Sequence, residues 1–164
     1  MLCPLFWFLA ACAPHSKTVQ VDPAFKTQYA AFLADGAAVG APQSVDDLII
    51  KFDDVNKYGC AEGRVGCCFT QSHETPVVVI DKAAWQGASS AYRSIIIYHE
   101  LGHCVLNRQH DNATHAGGAF GIPIPASVMQ ANFSGYLPDL FTDFHEDYAK
   151  ELFGKGIGPT PFGN

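Results

Sequence analysis

Behind Asp22 and Pro23, either of which can open a helix, apolar residues recur at helical spacing through Phe25, Tyr29, Phe32 and Leu33. This predicts a scaffold helix that Gly36 can end. The pattern then changes, because Leu48-Ile49-Ile50-Lys51-Phe52 is short, apolar and β-branched, which is the signature of a strand. A polar loop follows from Asp53 to Gly63. A second strand is predicted near Val65 to Gln71 and a third at Val77-Val78-Val79-Ile80, whose unbroken apolar run suits a strand covered on both faces. Asp81 to Gly87 is expected to turn the chain. Ser89 or Ser90 can then cap a long helix through Tyr92, Ile95, Ile96, His99, His103 and Leu106, and its central triplet of isoleucines predicts burial nearly all round.

Periodicity stops between Asn107 and Pro138, where Gly, Pro, Asn and Ala dominate, with Gly117-Gly118 and Ile122-Pro123-Ile124-Pro125 among them. No regular structure is expected there, and a loop of such length inside a domain is usually functional. A closing helix is predicted from Asp139 to about Phe153, with Leu140, Phe141, Phe144, Tyr148 and Leu152 on one side and Gly154 as its stop. Residues 154–164, rich in Gly and Pro, read as a surface tail.

Ahead of these elements, Leu2 to Ala11 form an apolar run about half the length needed to cross a bilayer as a helix. It fits the apolar region of a signal peptide covering residues 1–11. Leu9-Ala10-Ala11-Cys12 resembles the lipobox of bacterial lipoproteins, which makes Cys12 the lipidated first residue of the mature chain. No Lys or Arg precedes the run, so either the true start lies upstream or the segment is a buried N-terminus. Cleavage leaves Cys60, Cys67, Cys68 and Cys104, an even number that suggests disulfides in an exported domain. Adjacency strains a Cys67–Cys68 bond, so Cys60 is expected to join one of that pair and Cys104 the other. The alternative is that Cys104 is an ordinary buried thiol.

Charge narrows the partners. The chain has 164 residues with 10 Lys and Arg against 16 Asp and Glu, a net of -6, and no basic cluster. Nucleic acid is therefore disfavoured as a partner.

The chemistry concentrates in His99-Glu100-Leu101-Gly102-His103. Residues four apart share a helix face, so both imidazoles can converge on one metal ion while Glu100 acts on a water beside it. Catalytic zinc usually takes three protein ligands and keeps a fourth position open. His110 is the best third ligand, because Asn107 can adopt the left-handed conformation that ends the helix and turns the chain back. His115 is the reserve; Asp111 either supports a ligand histidine or is a plain loop aspartate. His145, three residues before Tyr148, reads as a packed or surface residue, and His15 and His73 receive no role.

Here the sequence resembles the metzincin clan of zinc metallopeptidases, whose motif is H-E-x-x-H-x-x-G-x-x-H followed by a methionine-containing turn. The chain runs from His99 to His110 with one residue more than that motif and with Asn107 in the glycine's role. Ser127-Val128-Met129 resembles the Met-turn, with Met129 as its methionine. Ala131 stands where some clan members carry a tyrosine, so no tyrosine role transfers.

The resemblance covers most of residues 22–153 and implies a catalytic domain of α+β fold. In it a small twisted mixed sheet is accompanied by a scaffold helix, a long active-site helix and a C-terminal helix. It also implies one Zn2+ per chain on His99, His103 and His110, Glu100 as general base, and a peptide or protein substrate. The strand near Val65 to Gln71, if it borders the cleft, can pair with an extended peptide. Two other functions compete: a non-catalytic zinc-binding exported lipoprotein or interaction module, and a hydrolase of a non-protein amide. A fourth protein ligand, Cys104 or His115, would favour the module.

Overall fold

The computed structural model describes residues 18–159 except 62, 73, 117–122, 134, 136 and 157. The expected leader and Cys12, together with His15, His73 and Gly117-Gly118, lie outside the described residues. The chain opens with strand β1 (Val19–Val21), a 3-10 turn (Pro23–Phe25) and helix α1 (Lys26–Ala38). Asp22 caps the turn by accepting from the Ala24 amide, and Pro23 follows as a residue whose fixed φ suits a helix start. Gly36 does not end α1. It is buried inside the helix because Phe153 presses on it, where a Cβ would come within 2.8 Å of the ring. The stop is Gly40, at φ 74, with the Ala41 amide bonded to the Gly36 carbonyl at 2.7 Å and the Gly40 amide to Ala37 at 3.1 Å.

Strands β2 (Leu48–Phe52), β3 (Gly66–Phe69) and β4 (Val77–Ile80) complete a sheet of order β1-β2-β4-β3. The first three strands in that order run parallel, and β3 pairs antiparallel with β4, Cys68 opposite Val78. The fold is therefore α+β with a small mixed sheet, as the resemblance implied. The three-residue β1 lacked enough pattern to be seen in sequence. Within the expected polar loop, Val55–Tyr58 forms a 3-10 turn capped by Asp54. Asp81 to Gly87 also departs from expectation: Asp81 accepts from the Ala84 amide at 2.7 Å, and that cap starts a short helix, α2 (Lys82–Gly87).

Helix α3 (Ser90–Cys104) begins at Ser89, whose hydroxyl accepts from the Tyr92 amide. Ile95, Ile96 and Ile97 are all fully buried, since α3 packs against β3, β4, α1 and the later helix α4. Among its described residues, the segment expected to be irregular contains one short ladder, β5 (Thr114–His115) against β6 (Ile124–Pro125). The single closing helix is two: α4 (Leu137–Asp143) and α5 (His145–Leu152). Phe144, at φ -119 and ψ 34, leaves helical geometry between them. The break turns His145 towards α1, where its Nε2 stands 2.7 Å from Asp35 Oδ2, the same oxygen that accepts from the Tyr98 hydroxyl. Beyond α5, Gly154 to Gly156 are exposed while Gly158 and Pro159 are buried, Gly158 at φ +82 where a Cβ would come within 2.0 Å of the Ala126 carbonyl oxygen.

Two disulfides join Cys60 to Cys67 and Cys68 to Cys104, one of the pairings expected. They suit an oxidising compartment. No described helix is long and apolar enough to cross a membrane.

Candidate metal centre

The last turns of α3 and the segment after it bring three histidines together. At its C-terminal end α3 widens instead of adding a regular residue: the Leu106 amide reaches five residues back to Leu101, and the Arg108 amide six back to Gly102 at 2.9 Å. Asn107 then takes φ 52, the left-handed turn expected of it. This wide ending absorbs the extra residue of the motif. His110 returns to the face that carries His99 and His103, and one ligand atom from each of the three lies within 4.8 Å of the others.

The tautomers follow from the hydrogen bonds. His99 Nδ1 lies 2.8 Å from the Val128 carbonyl and His103 Nδ1 2.7 Å from the Arg108 carbonyl. A carbonyl only accepts, so each Nδ1 carries the proton and each Nε2 presents a lone pair. Those bare nitrogens face one another at 3.1 Å, and His103 Nε2 is 3.3 Å from His110 Nε2. Lone pairs at that spacing repel unless a cation lies between them. Nitrogens about 2.1 Å from one tetrahedral ion are about 3.4 Å apart, so the geometry fits a shared metal ion.

Burial works in the same direction. His99 is 5% exposed, and desolvation pushes its pKa down to about 4, against the Val128 hydrogen bond, which raises it. His110 is also shifted down, first by desolvation and then by the charges of His103 and Arg64. Neutral imidazole is the metal-binding form.

Glu100, 6% exposed, lies beside the histidines on the wall facing β3. Burial pushes its carboxyl up to about 8, although a Cys68 backbone hydrogen bond and the Arg64 charge oppose that rise. Gly66 admits this carboxylate, since a Cβ there would stand 2.9 Å from Glu100 Oε1. Beneath the ligands, fully buried Met129 packs its sulfur against Gly102, where any Cβ would overlap it. The Met129 carbonyl accepts from the Asp111 amide at 2.9 Å, which ties the residue after His110 to this floor.

Other candidates fall elsewhere. Asp111 caps its own loop by accepting from the Ala113 amide, and His115 sits in β5 outside the histidine cluster. Cys104 is bonded to Cys68, so neither proposed fourth ligand joins the group among the described residues. Sequence reasoning missed Gly66, Gly102 and Arg64. The last reaches across the cleft from the loop before β3 and donates from Nη1 to the Ala131 carbonyl. The cleft around these groups has a volume of about 370 Å3.

Compared with protein-family models, curated proteins and solved structures, the chain matches none.

Proposed function

We propose that this protein is an exported zinc metallopeptidase of metzincin type, with His99, His103 and His110 as ligands and Glu100 as general base. One observation carries the reading: two Nε2 atoms whose lone pairs are fixed towards each other by Nδ1 hydrogen bonds, with a third imidazole and a buried carboxylate alongside. Three imidazoles with no fourth protein ligand among the described residues match the donor set of catalytic zinc, whereas structural zinc is closed by four. Zinc held there supplies Lewis acidity to a peptide carbonyl and makes a water easier to deprotonate.

The chain's own residues do the rest. Val128 and Arg108 hold two imidazoles in the binding tautomer through their carbonyls. Glu100 accepts a proton from the attacking water at its carboxylate and returns it to the leaving amine nitrogen. Outer strand β3 lines the cleft through Gly66, Cys67 and Cys68, and an extended peptide laid along it would approach Glu100. The disulfides favour export, and the lipobox-like leader would anchor the mature chain to a membrane through Cys12.

The test is metal analysis of the purified protein followed by exposure of a mixed peptide library to the zinc-loaded form. One zinc per chain, lost on His110→Ala but kept on His115→Ala, and cleavage of peptides are expected. Zinc bound with no cleavage would make the protein a binding module.

A further inference from the structure

Arg64 is the cation that the proposed reaction leaves unused. Its Nη1 donates to the Ala131 carbonyl, which fixes the side chain across the cleft, yet that acceptor is neutral and forms no ion pair with the guanidinium, whose charge reaches Glu100 only through space. Among the described residues, no carboxylate oxygen stands at ion-pair distance from it. Arg108, the other arginine on the cleft wall, differs in being tied to Glu151.

Position adds to charge. Arg64 borders both hollows that flank His99 and Glu100, one of about 370 Å3 and the other of about 310 Å3. Tyr92 and Phe133, edge to face with centroids 5.8 Å apart, form the apolar wall of the smaller one. Such a hollow accepts an apolar stem and presents a planar fork of N–H donors beside it, which matches a carboxylate. The chain's net charge of -6 repels acidic peptides at long range, so this local cation is what would hold one.

We propose that Arg64 anchors a carboxylate of the bound peptide, from an acidic side chain or a free C-terminus, in the hollow between the start of β3 and the segment after Met129. This rests on the peptidase reading for the class of ligand.

The experiment measures binding by fluorescence anisotropy on the full, zinc-loaded chain carrying Glu100→Ala, so that peptides stay intact. A neutral, end-blocked peptide is compared with versions in which one Gln is replaced by Glu at successive positions, and with a version whose C-terminal carboxylate is free. At least one carboxylate peptide is expected to bind about tenfold or more tightly than the neutral one, as a charge-assisted hydrogen bond would give, and less so in high salt. Which version gains identifies the source of the carboxylate. Adding Arg64→Gln should bring the ratio to about one, and Arg64→Lys should keep part of it.

Three results overturn the proposal. They are a ratio near one before Arg64 is changed, a preference that survives Arg64→Gln and so belongs to the metal ion, and equal weakening of every peptide, which would put Arg64 on a backbone carbonyl. Failure of the unaltered zinc-loaded chain to cleave any peptide would instead count against the peptidase reading, since the binding ratio needs no turnover.

Discussion

A carboxylate buried to 6% exposure needs a reason, and for Glu100 the reason is not stability. Burial raises its folded pKa to about 8, above the unfolded value, so the fold by itself disfavours its charge at neutral pH, and a zinc ion beside it would be what favours the carboxylate that a base needs. Glu100→Ala is therefore expected to keep zinc and resistance to denaturant while losing peptide turnover by a factor of about 100 to 10,000, the usual worth of a general base. Near-normal turnover with zinc bound would remove Glu100 from that role. Asp53 shows the opposite sign. Hydrogen bonds from Lys57 first, then the Asp54 amide, Tyr58 and Lys51 hold its carboxyl well below the usual carboxylate range. Its contribution to stability is present above the unfolded pKa of about 3.9 and is lost as pH falls through the lower folded value. A carbon-detected NMR titration should accordingly show Asp53 still charged at a pH where surface aspartates are half protonated. His99, Glu100 and His103 were legible in sequence because their relation is local, i to i+1 and i+4, and His110 because Asn107 marks the turn that brings it back. Gly66, Gly102 and Arg64 were not, since each owes its role to a contact with a residue at least 27 positions away, Met129 for Gly102 and Ala131 for Arg64.

At the scale of elements, the strands and α3 follow the apolar pattern because each buries a whole face or, for Ile95 to Ile97, its whole girth. Pattern fails where one side-chain cap or one backbone angle decides the outcome. Asp81 turns an expected loop into α2, and Phe144 divides an apolar stripe that reads as continuous. The same limit hid the link between α5 and the metal centre. Arg108 donates from Nη1 to the Glu151 and Leu152 carbonyls at 2.8 and 2.9 Å, ending α5, and from Nη2 to the Glu151 carboxylate. Its own carbonyl meanwhile fixes His103. Arg108→Ala would leave the buried Glu151 unpaired, and breaking such a pair costs about 3–5 kcal/mol. It would also loosen an outer contact of a ligand, expected to weaken zinc by about 10- to 100-fold in chelator competition. A urea melt that is unchanged, with zinc affinity unchanged, would show α5 and the centre to be independent.

In the whole molecule the sheet and helix α3 are joined covalently as well as by packing. Cys68 lies on β3, the outer strand beside the cleft, and Cys104 ends α3 one residue after His103, so the bond between them spans the two walls that must keep register around Glu100. Its partners are 36 residues apart, and closing a loop of that length in the unfolded chain is worth about 4 kcal/mol in the chain-entropy account. Cys60 and Cys67 are only seven apart, which by the same account gives about 2.5 kcal/mol. The ranking is testable: in metal-free urea melts, Cys68→Ser with Cys104→Ser should lower the free energy of unfolding more than Cys60→Ser with Cys67→Ser. Zinc held as proposed would bind only the folded arrangement of the three histidines, so zinc at a hundred times its dissociation constant should return about 2.7 kcal/mol to either variant. Recovery by zinc of the first variant's stability without its turnover would mean that the staple sets the alignment of β3 on Glu100 rather than the metal centre itself. Equal costs for the two pairs would mean that residual structure in the unfolded chain, and not loop length, governs what each bond contributes.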